Sequence, residues 1–197
     1  MLDAGLICHL GLEVDGWPVV VPTSYGRQGD RLYLHGSAAS RTLRAAKQQV
    51  PICVTVSLVD GLVLARSVFS HSVNYRSAMV FGYPEVCDGA DKLEGLRVIT
   101  EHMAPGQWQY VRRPTDKELA QTTVLRLGLE QASVKIRSGG PGDSGATDED
   151  MGLWAGELPI RIGSLEPVAD PNGPTGPLPE HLAVLGERLA KRLAPPG

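Results

Sequence analysis

The chemistry-bearing residues of this chain crowd one short stretch, Gly36-Ser-Ala-Ala-Ser-Arg-Thr-Leu-Arg44. Ser37, Ser40 and Thr42 supply hydroxyls there, and Arg41 and Arg44 supply fixed positive charge. Before them, Arg31-Leu-Tyr-Leu-His35 alternates polar and apolar residues as a half-buried strand does. After them, Leu43, Ala45 and Ala46 begin a helical pattern. A helix start exposes unpaired N–H groups and a partial positive charge. With hydroxyls and a guanidinium beside it, that end is a candidate phosphate seat. The competing reading is an ordinary helix capped by Ser37 or Ser40, with solvated arginines.

His35, at the strand end before the Gly36 turn, has a ring whose ordinary pKa suits proton transfer near neutrality. The bland alternative is a histidine bonded to a carbonyl. His71 lies in a polar Ser-His-Ser insertion and reads equally as a substrate-facing group or a solvated loop residue. Arg76 opens an apolar strand and matches phosphate oxygens as a bidentate donor. Tyr75 reads as a ligand-stacking ring or as packing. Gly140-Pro-Gly-Asp-Ser-Gly145 fits G-x-G-x-x-G, but no strand–helix unit surrounds it, so it is not a dinucleotide fingerprint. Asp148-Glu149-Asp150 reads as a solvated acidic loop. Cys8, Cys53 and Cys87 have no metal-ligand spacing, no metal site is expected, and an odd, scattered set points to a reducing cytoplasm.

The elements that must position these residues follow from periodicity. The 197 residues suffice for one domain with a core and a tail, and a net charge of −3 gives no reason to expect nucleic acid or an anionic membrane. No apolar run approaches a membrane span. Strands are expected over Leu6–Val14, Trp17–Tyr25 and Arg31–His35, with a hairpin at Asp15-Gly16. A short helix follows over Ala39–Gln48. Pro51–Leu58 and Leu62–Val68 read as two strands around a second hairpin turn at Asp60-Gly61. After the 71–77 insertion, Ala78–Tyr83 is a strand, Ala90–His102 an amphipathic helix, and Thr115-x-x-Glu118 a capping box. Thr123–Leu129, Ser133–Arg137 and Glu157–Ile162 complete the strands. Short strands in meander order argue for a mainly β protein with flanking helices, its antiparallel sheet closed into a small barrel. The barrel domain is taken as 1–164, a Pro/Gly-rich linker as 165–179, and a C-terminal helix and tail as 180–197, with the helix over Glu180–Leu193.

Several phrases then fall together: Pro22-Thr-Ser-Tyr25, Tyr33-Leu-His-Gly-Ser37 with Ser40-Arg41, Asp60-Gly-Leu-Val-Leu-Ala-Arg66, Asn74-Tyr-Arg-Ser77 with Phe81-Gly82, and Trp154-Ala-Gly156. Over about Leu2 to Ile162 the chain resembles the FMN-binding split-barrel proteins related to pyridoxamine 5′-phosphate oxidase, in the branch that includes the nitroimidazole-resistance (Nim) flavoproteins. The resemblance implies a split barrel of six to seven mostly antiparallel strands, a homodimer, and an FMN in each interface groove. It implies phosphate contacts from Ser40 and Arg41 with Arg76 or Ser77 nearby, and Ser37 and Tyr75 are further candidate cofactor contacts. The flavin ring would lie against Pro22, Thr23, Ser24 and Tyr25 and against Leu34 and His35, with Trp154 closing the site. His35 and His71 are the candidate catalytic groups. The last strand, Leu158-Pro-Ile-Arg-Ile162, lacks the histidine of the oxidase branch's substrate segment, which argues against pyridoxamine phosphate oxidation.

The expected function is an FMN-dependent oxidoreductase that reduces a small electrophile, as nitroreductases do, with NAD(P)H a candidate electron donor. Competing readings are a flavin carrier without turnover, a haem protein using His35 or His71, and a deazaflavin (F420) enzyme.

Overall fold

The structure, a computed structural model, describes residues 1–142, 152–173 and 176–195. Its frame is one antiparallel sheet. Strands β1 (Ile7–Val14) and β2 (Trp17–Gln28) meet at Asp15-Gly16, both with positive φ, 52° and 80°, as a tight hairpin requires. β3 (Arg31–Ser37) follows, then the short helix α1 (Arg41–Ala46), β4 (Ile52–Leu64) and β5 (Ser72–Gly82). β6 (Glu85–Cys87) leads into the long helix α2 (Gly89–Met103), then α3 (Gln107–Tyr110), α4 (Asp116–Gln121), β7 (Thr122–Gly128), β8 (Ala132–Arg137) and β9 (Gly156–Pro159).

β2 belongs to both halves of the sheet. Its residues 17–24 pair with β1, and Tyr25 to Gln28 pair with β3. The strand order is β6-β7-β3-β2-β1-β4-β5-β8, with β9 added alongside β4. The two ends meet because β5 runs on through Tyr83-Pro84 into β6 while β7 runs on into β8, tied by Phe81 N–H to Gln131 O at 2.8 Å. With β5–β6 and β7–β8 each taken as one bent strand, the ring has the expected six strands and β9 is a seventh.

Inward-facing residues fill the ring: Leu10, Tyr25, Leu32, Leu34, Val54, Val56, Val80 and Leu125 are all at most 1% exposed. Each such aliphatic side chain contributes about 1.5–3 kcal/mol by leaving water. α2 covers a second, smaller core on the other side of β3 and β7, with Val98 and Ile99 against Tyr33, Cys87 and Val124. Gly26 and Gly95 permit that approach. A Cβ on Gly26 would stand 2.6 Å from Val98 O, and one on Gly95 2.7 Å from Val124. Thr115 forms its capping box with Glu118 as the sequence indicates.

Three expectations are corrected. Residues 72–77 are not an insertion but the first half of β5, paired with β4. Asp60-Gly61 is not a hairpin turn. β4 runs unbroken through it, opposite β5, with a bulge between the Val59↔Tyr75 and Gly61↔Asn74 pairs. The bulge shifts the burial parity: Ile52, Val54, Val56 and Leu58 face inward before it, Gly61 and Val63 after it. The C-terminal helix is broken at Val184 into α5 (Glu180–Ala183) and α6 (Leu185–Leu193). The acidic triplet 148–150 and the end of the Gly140–Gly145 motif lie outside the described residues. Among those described, no helix is long and apolar enough to cross a membrane.

Candidate functional site

A cavity of about 210 Å³ opens between β2, β3 and the start of α1. Its floor is apolar: Leu10, Val21 and Leu43. Its rim brings together Pro22, Thr23, Leu34, His35, Ser37 and Ser40, six of the residues singled out from sequence. Gly36 lets α1 sit this close, since a Cβ there would be 3.1 Å from Leu43 Cδ2. Ser37 Oγ accepts from Ala39 N–H at 3.2 Å and turns the chain into the helix. Ser40 is the N-cap residue, and its hydroxyl makes no cap bond. Thr23 Oγ1 lies 3.4 Å from His35 O and ties β2 to β3 where the two strands diverge.

Two polar atoms of β3 and β7 are buried without a partner among the described residues: Nδ1 of His35, which lines the cavity, and Oγ1 of Thr123, which does not. Thr123 sits opposite Gly36 in the β3–β7 ladder and is 2% exposed. Buried polar groups are almost always hydrogen-bonded, so the orphan His35 Nδ1 asks for a ligand or water. Burial holds the His35 imidazole below its ordinary pKa, which leaves it neutral near pH 7. Thr123 has no signature in the sequence; its role depends on cross-strand pairing alone.

The guanidiniums expected beside Ser40 are elsewhere. Arg41 turns to the hairpin, where its Nη2 is 2.8 Å from Asp15 Oδ2, with both side chains about three-quarters exposed. Arg76 points into the barrel end from β5. It donates from Nε and Nη2 to Asp60 at 2.9 and 2.7 Å, and from Nη2 to Leu193 O at 3.1 Å. Strand alternation puts Tyr75 and Ser77 on the opposite face from Arg76, so the three cannot converge on one ligand from one chain. Tyr25 is a core residue rather than a cavity one. It is fully buried, its hydroxyl donates to Leu2 O at 2.5 Å, and burial drives its phenol pKa upward. Ser24 pairs with Ile7 on the outer face and does not line the cavity. Neither does Trp154, which is 69% exposed and packs over Gly156 ahead of β9.

His71 follows a 3-10 turn, Val68–Ser70, that Ser67 Oγ caps at Phe69 N–H. Its Nδ1 lies 3.0 Å from Ser67 O and 3.3 Å from Ala65 N, so the backbone holds the ring through that nitrogen. Beside it Val68 and Phe69 are 89% and 96% exposed, an apolar knob with nothing over it among the described residues. On the outer face of β1, β2, β4 and β5, Ile7, Val20, Val59, Met79 and Phe81 are also exposed, in the same face as Tyr75 and Ser77.

Residues 1–136 match the pyridoxamine 5′-phosphate oxidase family. The chain belongs to that family. Among solved structures of similar shape, an FAD and heme binding protein from Mycobacterium smegmatis is 37% identical, with a TM-score of 0.89 over 94% of this chain and 91% of that one. A flavocytochrome from Azotobacter vinelandii is 42% identical, with a TM-score of 0.85 over 92% of this chain and 85% of that one. A 5-nitroimidazole antibiotic resistance protein from Bacteroides thetaiotaomicron shares the fold at 24% identity, with a TM-score of 0.56 over 68% of this chain and 78% of that one. No curated protein matches the sequence. The split barrel expected from the residues is therefore the fold of the family the chain belongs to.

Proposed function

We propose that this member of the family binds a flavin nucleotide in the β2–β3–α1 cavity and works as an oxidoreductase. The observation that carries the reading is the cavity itself: hydroxyls of Ser37 and Ser40 among its lining, and His35, whose buried Nδ1 is unpartnered among the described residues, in its wall. The floor of Leu10, Val21 and Leu43 suits an aromatic ring, and the serines suit phosphate oxygens. At about 210 Å³ it falls short of the ~300–1,000 Å³ of small-molecule sites, so one chain supplies only part of the wall. A second copy seated on the exposed outer face would supply the rest, which supports the homodimer reading. It would also bring Tyr75 and Ser77 within reach of a bound nucleotide.

Flavin supplies reversible two-electron chemistry, with reduced nicotinamide as donor and a small electrophile as acceptor. The protein's part is to hold the ring, seat the phosphate and keep His35 neutral beside it. The similar M. smegmatis protein makes FAD the first nucleotide to test, with FMN second. Three free cysteines suit a reducing compartment such as the cytoplasm.

A second reading has its own observation. His71 is exposed and its Nδ1 is held at the Ser67 carbonyl, as the second nitrogen of a metal-ligating imidazole often is. Val68 and Phe69 offer apolar cover for a porphyrin. We propose His71 as the residue that would hold haem, alongside the flavin.

The test is the absorption spectrum of the purified protein, with chromatography of whatever heat releases. Flavin bands with FAD or FMN released support the first reading, and a Soret band lost in His71→Ala supports the second. A colourless protein that takes up neither added flavin removes both the cavity assignment and the enzyme reading.

A further inference from the structure

The C-terminal helix is held to the barrel by guanidinium–carbonyl contacts. Neither α5 nor α6 contains a buried residue. Arg192, in the last turn of α6, donates from Nη1 to His102 O at 2.5 Å and from Nη2 to Gly5 O at 3.0 Å. The next residue, Leu193, gives its carbonyl to Arg76 at 3.1 Å. Pro195 then closes one wall of a cavity of about 370 Å³ that also touches Asp60, Asn74, Arg76 and Arg137. A polar attachment of this kind is strong only while each donor finds its acceptor.

His102, in the last turn of α2, stands at the critical contact. Its Nε2 lies between two groups with opposite demands. Arg192 Nη2, at 2.5 Å, can only donate. Gly5 O, at 2.8 Å, can only accept. A neutral ring with its proton on Nδ1 takes the hydrogen bond from Arg192. A ring with a proton on Nε2 satisfies Gly5 O instead and turns an N–H toward the guanidinium, and a charged ring adds cation–cation repulsion.

We propose that the segment from Arg192 to Pro195 is a proton-controlled strap: neutral His102 seats it, and protonated His102 expels Arg192 and uncovers Arg76 and the cavity behind it. The groups around the ring agree. From β2, the Tyr25 ring lies 4.7 Å away between centroids and brings no charge near neutrality. From the N-terminal turn, Asp3 is already paired with Arg27 of β2 at 2.7 Å. On α2 itself, Glu101 is turned to the next turn, accepting from Gly106 N–H and Trp108 N–H at 2.8 Å. Burial holds the imidazole below its ordinary pKa, and the Arg192 charge acts in the same direction against the opposing Gly5 carbonyl and Asp3. The released strap leaves a histidine of ordinary pKa, ~6.5. The open state therefore binds the proton more readily, and seating weakens as pH falls below that value.

Amide hydrogen exchange on the full chain, corrected for the intrinsic effect of pH, reads the strap directly. Protection of the α5–α6 amides is expected to drop about tenfold between roughly pH 7.5 and pH 5.5, while β1 and β4 stay protected. Arg192→Gln should show the low-pH pattern at both pH values. His102→Gln, whose amide oxygen can still accept from Arg192, should stay seated at both. His181, whose Nε2 meets Gln107 Oε1 at 2.8 Å, is the histidine on the segment itself, and His181→Gln should respond as the wild type does. Protection independent of pH in the wild type overturns the proposal. So does a pH response that survives His102→Gln or disappears with His181→Gln.

Discussion

The β2–β3–α1 cavity and the Asp60–Arg76 corner carry residues that the sequence groups into one phosphate site, and they are built on opposite rules. At the corner every charge is matched. Arg76 and Asp60 side chains are 9% and 12% exposed and share a bidentate contact, and Arg137 and Glu157 meet across Asn74. Among the described residues, no charged side chain lines the cavity, the buried His35 Nδ1 lacks a partner, and the Ser40 hydroxyl makes no cap bond. A buried cation already satisfied by a carboxylate has little left to offer a ligand, whereas an unsatisfied neutral group still has its hydrogen bond to give. Residue type alone does not distinguish them. Pairing does.

Arg76→Ala should produce the largest effect, and on stability: an unpaired Asp60 left inside costs about 3–5 kcal/mol in chemical denaturation. The double replacement Asp60→Leu with Arg76→Met should lie closer to wild type than either single change. If instead Arg76→Ala abolishes flavin uptake at unchanged stability, the contrast between the two regions collapses. Next, Ser37→Ala with Ser40→Ala should weaken flavin binding by about tenfold or more, the loss of hydrogen bonds to a charged group, and leave the unfolding midpoint within about 0.5 kcal/mol. Titration of apoprotein with FAD and FMN measures it. Tyr25→Phe removes a buried hydroxyl's bond to Leu2 O and should cost about 1 kcal/mol of stability without altering flavin affinity. Arg41→Ala should do least, below about 0.5 kcal/mol in stability, because its ion pair with Asp15 is exposed. A large fall in flavin affinity on Arg41→Ala would restore that arginine to the site. Thiol labelling sharpens the picture of the closed interior: Cys8, with no exposure and a pKa pushed up to about 12, and Cys87, also raised, should resist alkylation while Cys53 reacts.

Much of this was legible along the chain. Asp15-Gly16 specifies its hairpin through local backbone geometry, Thr115 and Glu118 specify a helix start, and helical spacing marks α2, although its covered face is Gly95, Val98 and Ile99 and leaves Leu93 exposed. The cavity rim was legible because β2 and β3 bring Pro22 and Thr23 beside His35, and the turn after β3 is built locally. Side-chain partners were not. Arg41 finds Asp15 across the fold, Arg76 finds Asp60 across a strand pair, and Tyr25 finds Leu2 through an N-terminal turn. Each pairing depends on contacts distant in sequence, which periodicity does not record. Asp60-Gly61 misled for a related reason. A bulge and a hairpin both interrupt alternation and both favour a small flexible residue, so only the strand opposite distinguishes them.

The bulge also makes β4 a counting device. Even-numbered residues face inward before Asp60 and odd-numbered ones after it, so one residue holds two reading phases of the strand in step. A side-chain change at position 60 touches a single ion pair. Removing Asp60 would leave a regular ladder with Gly61 and Val63 still inward, whereas deleting one residue elsewhere in the strand would throw one half out of phase and break the match of 52–59 with β5 or of Gly61–Leu64 with β9. Along this strand, length is therefore more tightly constrained than composition, and natural insertions or deletions are expected in the loops on either side of it.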